Sequence, residues 1–425
     1  MPQYAETLEK LFSRRRFGIR HGLERVNSLL HHLGNPQDAF KTIHVVGTNG
    51  KGSTSAFLSS ILSEAGYSTA LFTSPHLVHF RERFRINGVE PGDERIMPLL
   101  DFVMETASEE TTFFEIVTAL AALYFAESGV GVAVMEAGMG GGSDATAALP
   151  GFMTIVTPIS IDHSEYLGET TAEIAAEKIA IAYPATPVLC GIQDDSSIMA
   201  IASYTAKNGN RLYRQNEEFR INAASDGISY HGIEMTIRNL IPGIPGRHQI
   251  QNAGLALAAA EVAALGGMKK ITSEAMGKGV ENASWPGRME KIAEKPDVIL
   301  DGAHNPAGMA ALAGALEDME YDTLRLIFGI MQDKDIDSVL SEIPPDAVIY
   351  AVSPSIERAL SSVELADSCR RKGFSCHDSG DLSSAISKAH KDASKDDLIL
   401  ICGSLFLVGE AKARFSGFEY QGIRG

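Results

Sequence analysis

Thr42-Ile43-His44-Val45-Val46-Gly47-Thr48-Asn49-Gly50-Lys51-Gly52-Ser53 is the stretch that decides the fold class. Its first five residues have the β-branched character of a buried parallel strand and run straight into a Gly-rich loop. From Ser53 to Ala65, Phe57, Leu58, Ile61 and Leu62 recur at helical spacing, and Gly66 supplies a stop. A strand, a glycine loop and a helix N-terminus, in that order, form a cradle for phosphate, and Lys51 adds a mobile cation. The usual pattern is Gly-x-x-x-x-Gly-Lys-Ser/Thr. Here Val45 stands in the first glycine's place and Gly52 separates Lys51 from Ser53, so the loop is a variant. A plain strand-to-helix turn is the competing reading. Lys51 between two glycines after a buried strand favours an energetic nucleotide.

Outward from the loop, further apolar strands are expected at Thr69–Phe72, 131–135 and 153–156, with a helix over Phe113–Glu127. This alternation predicts an open, mostly parallel sheet covered by helices. Between Arg211 and Arg238 the pattern shortens and alternates, which predicts a small antiparallel excursion before a helix over 250–264. Trp285-Pro286-Gly287-Arg288 reads as a hinge. Beyond it, strands at 298–300, Leu324–Phe328, 347–351 and Leu398–Cys402 alternate with helices, a second and smaller doubly wound α/β domain. The expected division is 1–287 for the nucleotide half, 288–296 for the linker and 297–425 for the C-terminal half.

A chain of 425 residues exceeds one ordinary core, and 44% hydrophobic residues suffice for two. Lys and Arg total 37 against 54 Asp and Glu, a net charge of -17, which argues against nucleic acid or an anionic membrane as partner. Cys190, Cys369, Cys376 and Cys402 lack metal-ligand spacing, which suits a reducing cytoplasm. Arg14-Arg15-Arg16 is followed by no apolar signal segment and reads as a solvated loop.

Ligands of open α/β sheets gather beyond the carboxyl ends of the strands. Glu136 stands there, either as a solvated loop acid or as a carboxylate that reaches a cation. By residue type alone His163 is a general base or a satisfied histidine, and Lys178 is an ordinary exposed helix lysine. Asn305 and Pro306 suit a helix cap and first turn, which leaves Asp301 and His304 facing the crevice.

Gly-Thr-Asn-Gly-Lys-Gly-Ser at 47–53 is the loop form of the folylpolyglutamate synthases and bifunctional dihydrofolate synthases, within the Mur ligase superfamily. The chain resembles that family further through Thr73-Ser74-Pro75-His76-Leu77, Glu82-Arg83, Thr112-Phe113-Phe114-Glu115, Asp162-His163, Glu177-Lys178, His248-Gln249, Pro286-Gly287-Arg288 and Asp301-Gly302-Ala303-His304-Asn305-Pro306.

The resemblance implies an ATP-dependent, Mg²⁺-requiring ligase that joins glutamate to a pterin or folate carboxylate through an acyl phosphate. The substrates would be dihydropteroate or a reduced folate, L-glutamate and ATP, and the family's usual form is a monomer. It implies Ser74, Glu136 and His163 as metal ligands, and a carbamate on Lys178 that can hold a second Mg²⁺. Asn252, Arg288, Asp301 and His304 would join Gly47, Thr48, Asn49, Gly50, Lys51, Gly52 and Ser53 on ATP. His304 is also a candidate acceptor for the amine proton. Arg83, Thr112, Phe114, Asp144 and Ala145 would border the pterin.

One departure stands out. Many bacterial relatives read Gly-Gly-Arg-x-Asp-Ala-Thr-Asn, where this chain has Gly-Gly-Ser-Asp-Ala-Thr-Ala at 141–147, without the arginine and the final asparagine. That change leaves three readings in play: both folate activities, folylpolyglutamate synthesis alone, or a nucleotide-binding regulator with altered catalysis. A Mur peptide ligase is disfavoured, because the loop begins after only ~45 residues, short of a further N-terminal domain.

Overall fold

The computed structural model describes residues 2–14, 22–162, 164–224 and 227–422. Strands β1 (Lys41–Val46), β2 (Thr69–Phe72), β3 (Phe84–Ile86), β4 (Val132–Glu136), β5 (Gly151–Val156), β6 (Val188–Cys190) and β7 (Leu212–Arg214) form one sheet in the order β3-β2-β4-β1-β5-β6-β7. All neighbours are parallel except β3, which runs antiparallel to β2. Apart from Lys41, β1 is buried throughout, as a strand covered on both faces must be. Helices Lys51–Glu64, Arg247–Leu265 and Ser273–Asn282 share one apolar cluster with the sheet, and Glu24–His32, Asp93–Thr106 and Phe113–Glu127 share another. Phe113–Glu127 is apolar around almost its whole circumference and is correspondingly buried on every side.

The antiparallel excursion starts later than its sequence pattern suggests. Leu212–Arg214, inside the expected segment, is the parallel edge strand β7. The antiparallel sheet consists of β8 (Arg220–Ala224), β9 (Gly227–His231) and β10 (Thr236–Leu240) in the order β10-β9-β8. One carboxylate ties it to helix Arg247–Leu265. Glu261, 0% exposed, accepts hydrogen bonds from the Tyr230 hydroxyl at 2.6 Å and from the backbone N–H groups of Ile233, Glu234 and Met235 at 3.0, 2.6 and 2.7 Å.

The second large sheet contains β11 (Glu290–Ala293), β12 (Asp297–Leu300), β13 (Leu324–Phe328), β14 (Val348–Val352), β15 (Ser375–Gly380) and β16 (Leu398–Cys402), in the order β11-β12-β16-β13-β14-β15. Its core lies on both faces, with Pro306–Leu316, Ile336–Ser341 and Ser362–Arg371 on one and Leu382–Asp392 and Leu405–Ser416 on the other. Residues 290–293, expected in the linker, instead form edge strand β11, antiparallel to β12. Leu77 and Val78 of the first sheet's β2–β3 connection pack into the second core beside Leu407 and Val408.

Glu261→Ala leaves the buried Tyr230 hydroxyl and three partly buried N–H groups without their acceptor, at ~1–3 kcal/mol for each group that stays unsatisfied. Urea unfolding should therefore show a loss of about 3 kcal/mol or more. A loss below about 1 kcal/mol would mean that water satisfies these groups and that Glu261 does not tie the antiparallel sheet to the helix.

Candidate active site between the two sheets

Helix Lys51–Glu64 begins directly after the glycine loop, with Gly50 as its cap residue at φ 85, a left-handed conformation that glycine adopts without strain. The N–H groups of Thr48 and Asn49 donate to the Pro158 carbonyl at 3.0 and 3.2 Å. The N–H groups left open to an anion are thus those of the first helical turn, which have no intrahelical acceptor. Thr48 and Asn49 brace the loop instead: Thr48 Oγ1 donates to Ser160 O, and Asn49 Nδ2 to Ser160 Oγ. Lys51 Nζ donates to Gly47 O at 3.1 Å and to Thr48 O at 3.3 Å. The inserted Gly52 has a steric reason: a Cβ there would lie 2.8 Å from Nε1 of Trp285, the chain's single tryptophan.

Glu136 is the last residue of β4, inside the strand rather than after it, and stands opposite Val45 of β1. It is 5% exposed and accepts from the Ser74 N–H at 3.3 Å. Burial pushes its carboxyl up to about 6, against the pull of Lys51, the Ser74 N–H, Arg288 and Arg83. Arg83 is itself buried, its Nε donating to His76 Nδ1 at 2.9 Å and its guanidinium 5.3 Å from the Phe113 ring centre.

Lys178 is 5% exposed, not the solvated lysine that its helical context suggests. Burial first, then the charge of Lys51, lower its ammonium to about 7, opposed by Asp162, Asp144 and Glu177. The loop from 138 to 146 crosses this helix so closely that a Cβ at Gly141 would lie 2.2 Å from the Lys178 carbonyl oxygen. Ser143, within the departure from the bacterial pattern, donates from Oγ to Glu177 Oε1 at 2.6 Å. Asp144 accepts from the N–H groups of Met139 and Thr146 and from Thr146 Oγ1, so its oxygens shape the loop. Ala145 is buried beneath it. Thr112 caps helix Phe113–Glu127 in a reciprocal box with Glu115. Phe114 is half-buried, its ring against Gly138.

The second sheet supplies the facing residues. Asp301 accepts from the N–H groups of Met289 and Ala303, both at 2.9 Å, which fixes the turn that carries Arg288 across Gly302. His304 Nδ1 donates to the Gly302 carbonyl at 2.8 Å, so its Nε2 bears the lone pair. Burial and the charge of Lys334 lower its imidazole to about 4. Asn305 caps helix Pro306–Leu316 as expected, and its Nδ2 also donates to Asn49 Oδ1 at 3.1 Å and Asp162 Oδ2 at 3.4 Å. Asp162 pairs with Lys334 at 2.7 Å. Sequence reading passed over Lys334, whose one signal was its position soon after β13. Asn252 donates to Gln249 Oε1 and lies against Gly50. His163 lies outside the described residues.

Between the sheets lies a small cleft, open to solvent and lined by Ser74, His76, Arg85, Glu136, Trp285 and Arg288 among others. Arg85 stacks over Trp285 at 5.3 Å. Among the described residues no three His, Cys, Asp or Glu side chains converge as a metal site. No described helix is long and apolar enough to cross a membrane, and the four cysteines are free thiols.

The model of the Mur ligase middle domain matches residues 45–260, and that of the Mur ligase glutamate ligase domain matches 287–405. Probable bifunctional folylpolyglutamate synthase/dihydropteroate synthases of Haloferax volcanii and Halobacterium salinarum are 34% and 35% identical over 97% of this chain, which spans about half of their length, 51% and 52%. The dihydrofolate synthase/folylpolyglutamate synthase of Bacillus subtilis is 31% identical, with 97% of this chain and 99% of that protein covered. Escherichia coli FolC in complex with DHPP and ADP superposes with a TM-score of 0.90 at 28% identity, over 97% of this chain and 98% of the other. A Yersinia pestis folylpolyglutamate synthase/dihydrofolate synthase complexed with AMPPNP and Mn ion superposes at 0.87 with 28% identity, over 97% and 98%. With both models matched in order, and with a bacterial relative covered almost end to end, the chain belongs to the folylpolyglutamate synthase/dihydrofolate synthase family of Mur ligases.

Proposed function

We propose that the chain is an ADP-forming ligase that joins L-glutamate to a pterin or folate carboxylate, with the phosphate loop in the 1–287 half and the glutamate site completed by the 297–425 half. The observation that carries this reading is that Lys51 and Arg288 reach the buried Glu136 from the two halves of the chain, with Lys178 in turn within electrostatic reach of Lys51. A nucleotide-bound FolC and a Mn-bound Yersinia relative at 28% identity support nucleotide and divalent metal here.

Glu136 fits a hard cation. It is a buried carboxylate whose desolvation is only partly offset, and Ser74, whose N–H it accepts, lines the same cleft. Ser74, Glu136 and His163 would hold Mg²⁺, which when bound supplies neutralising charge to a transferring phosphoryl group. Lys178 fits the carbamate reading, because an ammonium lowered to about 7 presents a neutral amine near neutral pH, and only that form attacks CO₂.

A carboxylate is a poor acyl donor, since oxide is a poor leaving group. Transfer of the γ-phosphoryl of ATP to one carboxylate oxygen breaks the bond to ADP and gives an acyl phosphate. The first turn of helix Lys51–Glu64, Lys51 and Arg288 orient the phosphates and neutralise their charge. Attack by the glutamate amine then forms the amide and expels phosphate. With its ring lowered to about 4, His304 is too weak a base to hold the amine's proton at neutral pH. Its Nε2 lone pair is suited instead to orient an N–H donor. Four free thiols accord with cytoplasmic residence, and the two halves in one chain with a monomer.

Purified protein given ATP, Mg²⁺ and glutamate should release ADP when dihydropteroate or tetrahydrofolate is added. ADP release with neither substrate at any tested concentration would overturn the reading. For Lys178, carbon-13-labelled CO₂ at fixed concentration should give a carbamate resonance that grows as pH rises through about 7, because the neutral amine gains share above that value. The resonance should vanish, and activity fall by about 100-fold or more, in Lys178→Ala. Unaltered activity in that variant would contradict a role for the lysine.

A further inference from the structure

Helix Leu405–Ser416 ends at Gly417, and the following residues return to the first domain. The ring of Phe418 meets His79 edge-on at 5.3 Å, and the Tyr420 hydroxyl donates to Phe406 O at 3.2 Å. Phe80 N–H donates to Gln421 Oε1 at 3.3 Å, Gln421 N–H donates to Val78 O at 3.4 Å, and His76 Nε2 lies 3.0 Å from Gly422 O. The far side of the same loop is gathered by Glu82, whose carboxylate accepts from the N–H groups of Leu77, Val78 and His79 at 2.8, 2.9 and 2.8 Å.

The hydrogen-bond pattern leaves His76 one tautomer. Arg83 can only donate, so Nδ1 of His76 accepts, and Nε2 carries the proton given to Gly422 O. The ring is 2% exposed and neutral in this arrangement. A continuous line runs from the second domain's tail through His76 to Arg83, which lies within electrostatic reach of Glu136.

We propose that residues 418–422 form a strap by which the C-terminal domain holds the β2–β3 loop in place, and that His76 is the positioning residue that passes this hold to Arg83 beside Glu136. The inference rests on the proposed ligase site around Glu136. It adds that docking of the second domain and alignment of the first domain's arginine are one event. The catalytic roles suggested for Lys51 and Lys178 do not require this.

The test uses the full chain. Phe418→Ala with Gln421→Ala loosens the strap, and His76→Asn keeps an acceptor for Arg83 while losing the donor to Gly422. Hydrogen exchange of residues 74–83 should rise about tenfold in each, with residues 47–53 unchanged. In the ADP-release assay KM for the carboxylate substrate should rise about tenfold while ATP affinity stays within about twofold. Combining all three substitutions should add little, because they cut one line. Unchanged exchange at 74–83, or effects that add in full, would overturn the strap. If the wild-type chain released no ADP with any substrate, the ligase reading would fall, while the exchange data would still decide the strap.

Discussion

The site depends first on the parallel pairing of β1 between β4 and β5. That register sets Val45 opposite Glu136 and Val46 opposite Val156, so the glycine loop, the acid and the Thr157–Ser160 turn all emerge at one end of the sheet. A slip of one residue would turn Glu136 to the other face and leave the loop without its acid. The buried side chains of β1 oppose such a slip, since every one of them would exchange faces. The loop's braces follow from the same pairing, because Pro158 and Ser160, which hold Thr48 and Asn49, are the residues just beyond β5.

Charge is the second constraint. A chain with net charge -17 brings Lys51, Arg83 and Arg288 towards one buried carboxylate, with Lys178 within electrostatic reach of Lys51. Burial first, and then the charge of Lys51, disfavours the ammonium of Lys178. Cations gathered beside one loop suit an anion, and a polyphosphate meets that condition. The ties between the sheets, Asn305 to Asn49 and Lys334 to Asp162, lie beside the same loop, so the second domain meets the first where the chemistry is proposed.

Much of this was legible in the residues. β2, β13 and β16 and helix Phe113–Glu127 have the bounds that their patterns predict, because each is an apolar run closed by a turn or cap signal. β15, with the sequence Ser-Cys-His-Asp-Ser-Gly, was not legible, since an edge strand half open to solvent needs no apolar period. β11 was hidden in an expected linker because it is itself an edge strand, and Lys178 read as exposed because burial of a lysine is a tertiary fact. Gly52 announced itself as an anomaly, but its reason, Trp285, lies more than two hundred residues away. Lys334 and the strap at 418–422 depend on how the two domains meet, which no local pattern records.

The central claim is that the two halves together activate a carboxylate by phosphorylation. The most direct measurement follows oxygen-18 from the labelled carboxylate of dihydropteroate or tetrahydrofolate during ligation to glutamate. An acyl phosphate requires one labelled oxygen to leave with each inorganic phosphate released. Label-free phosphate alongside amide product would contradict the account.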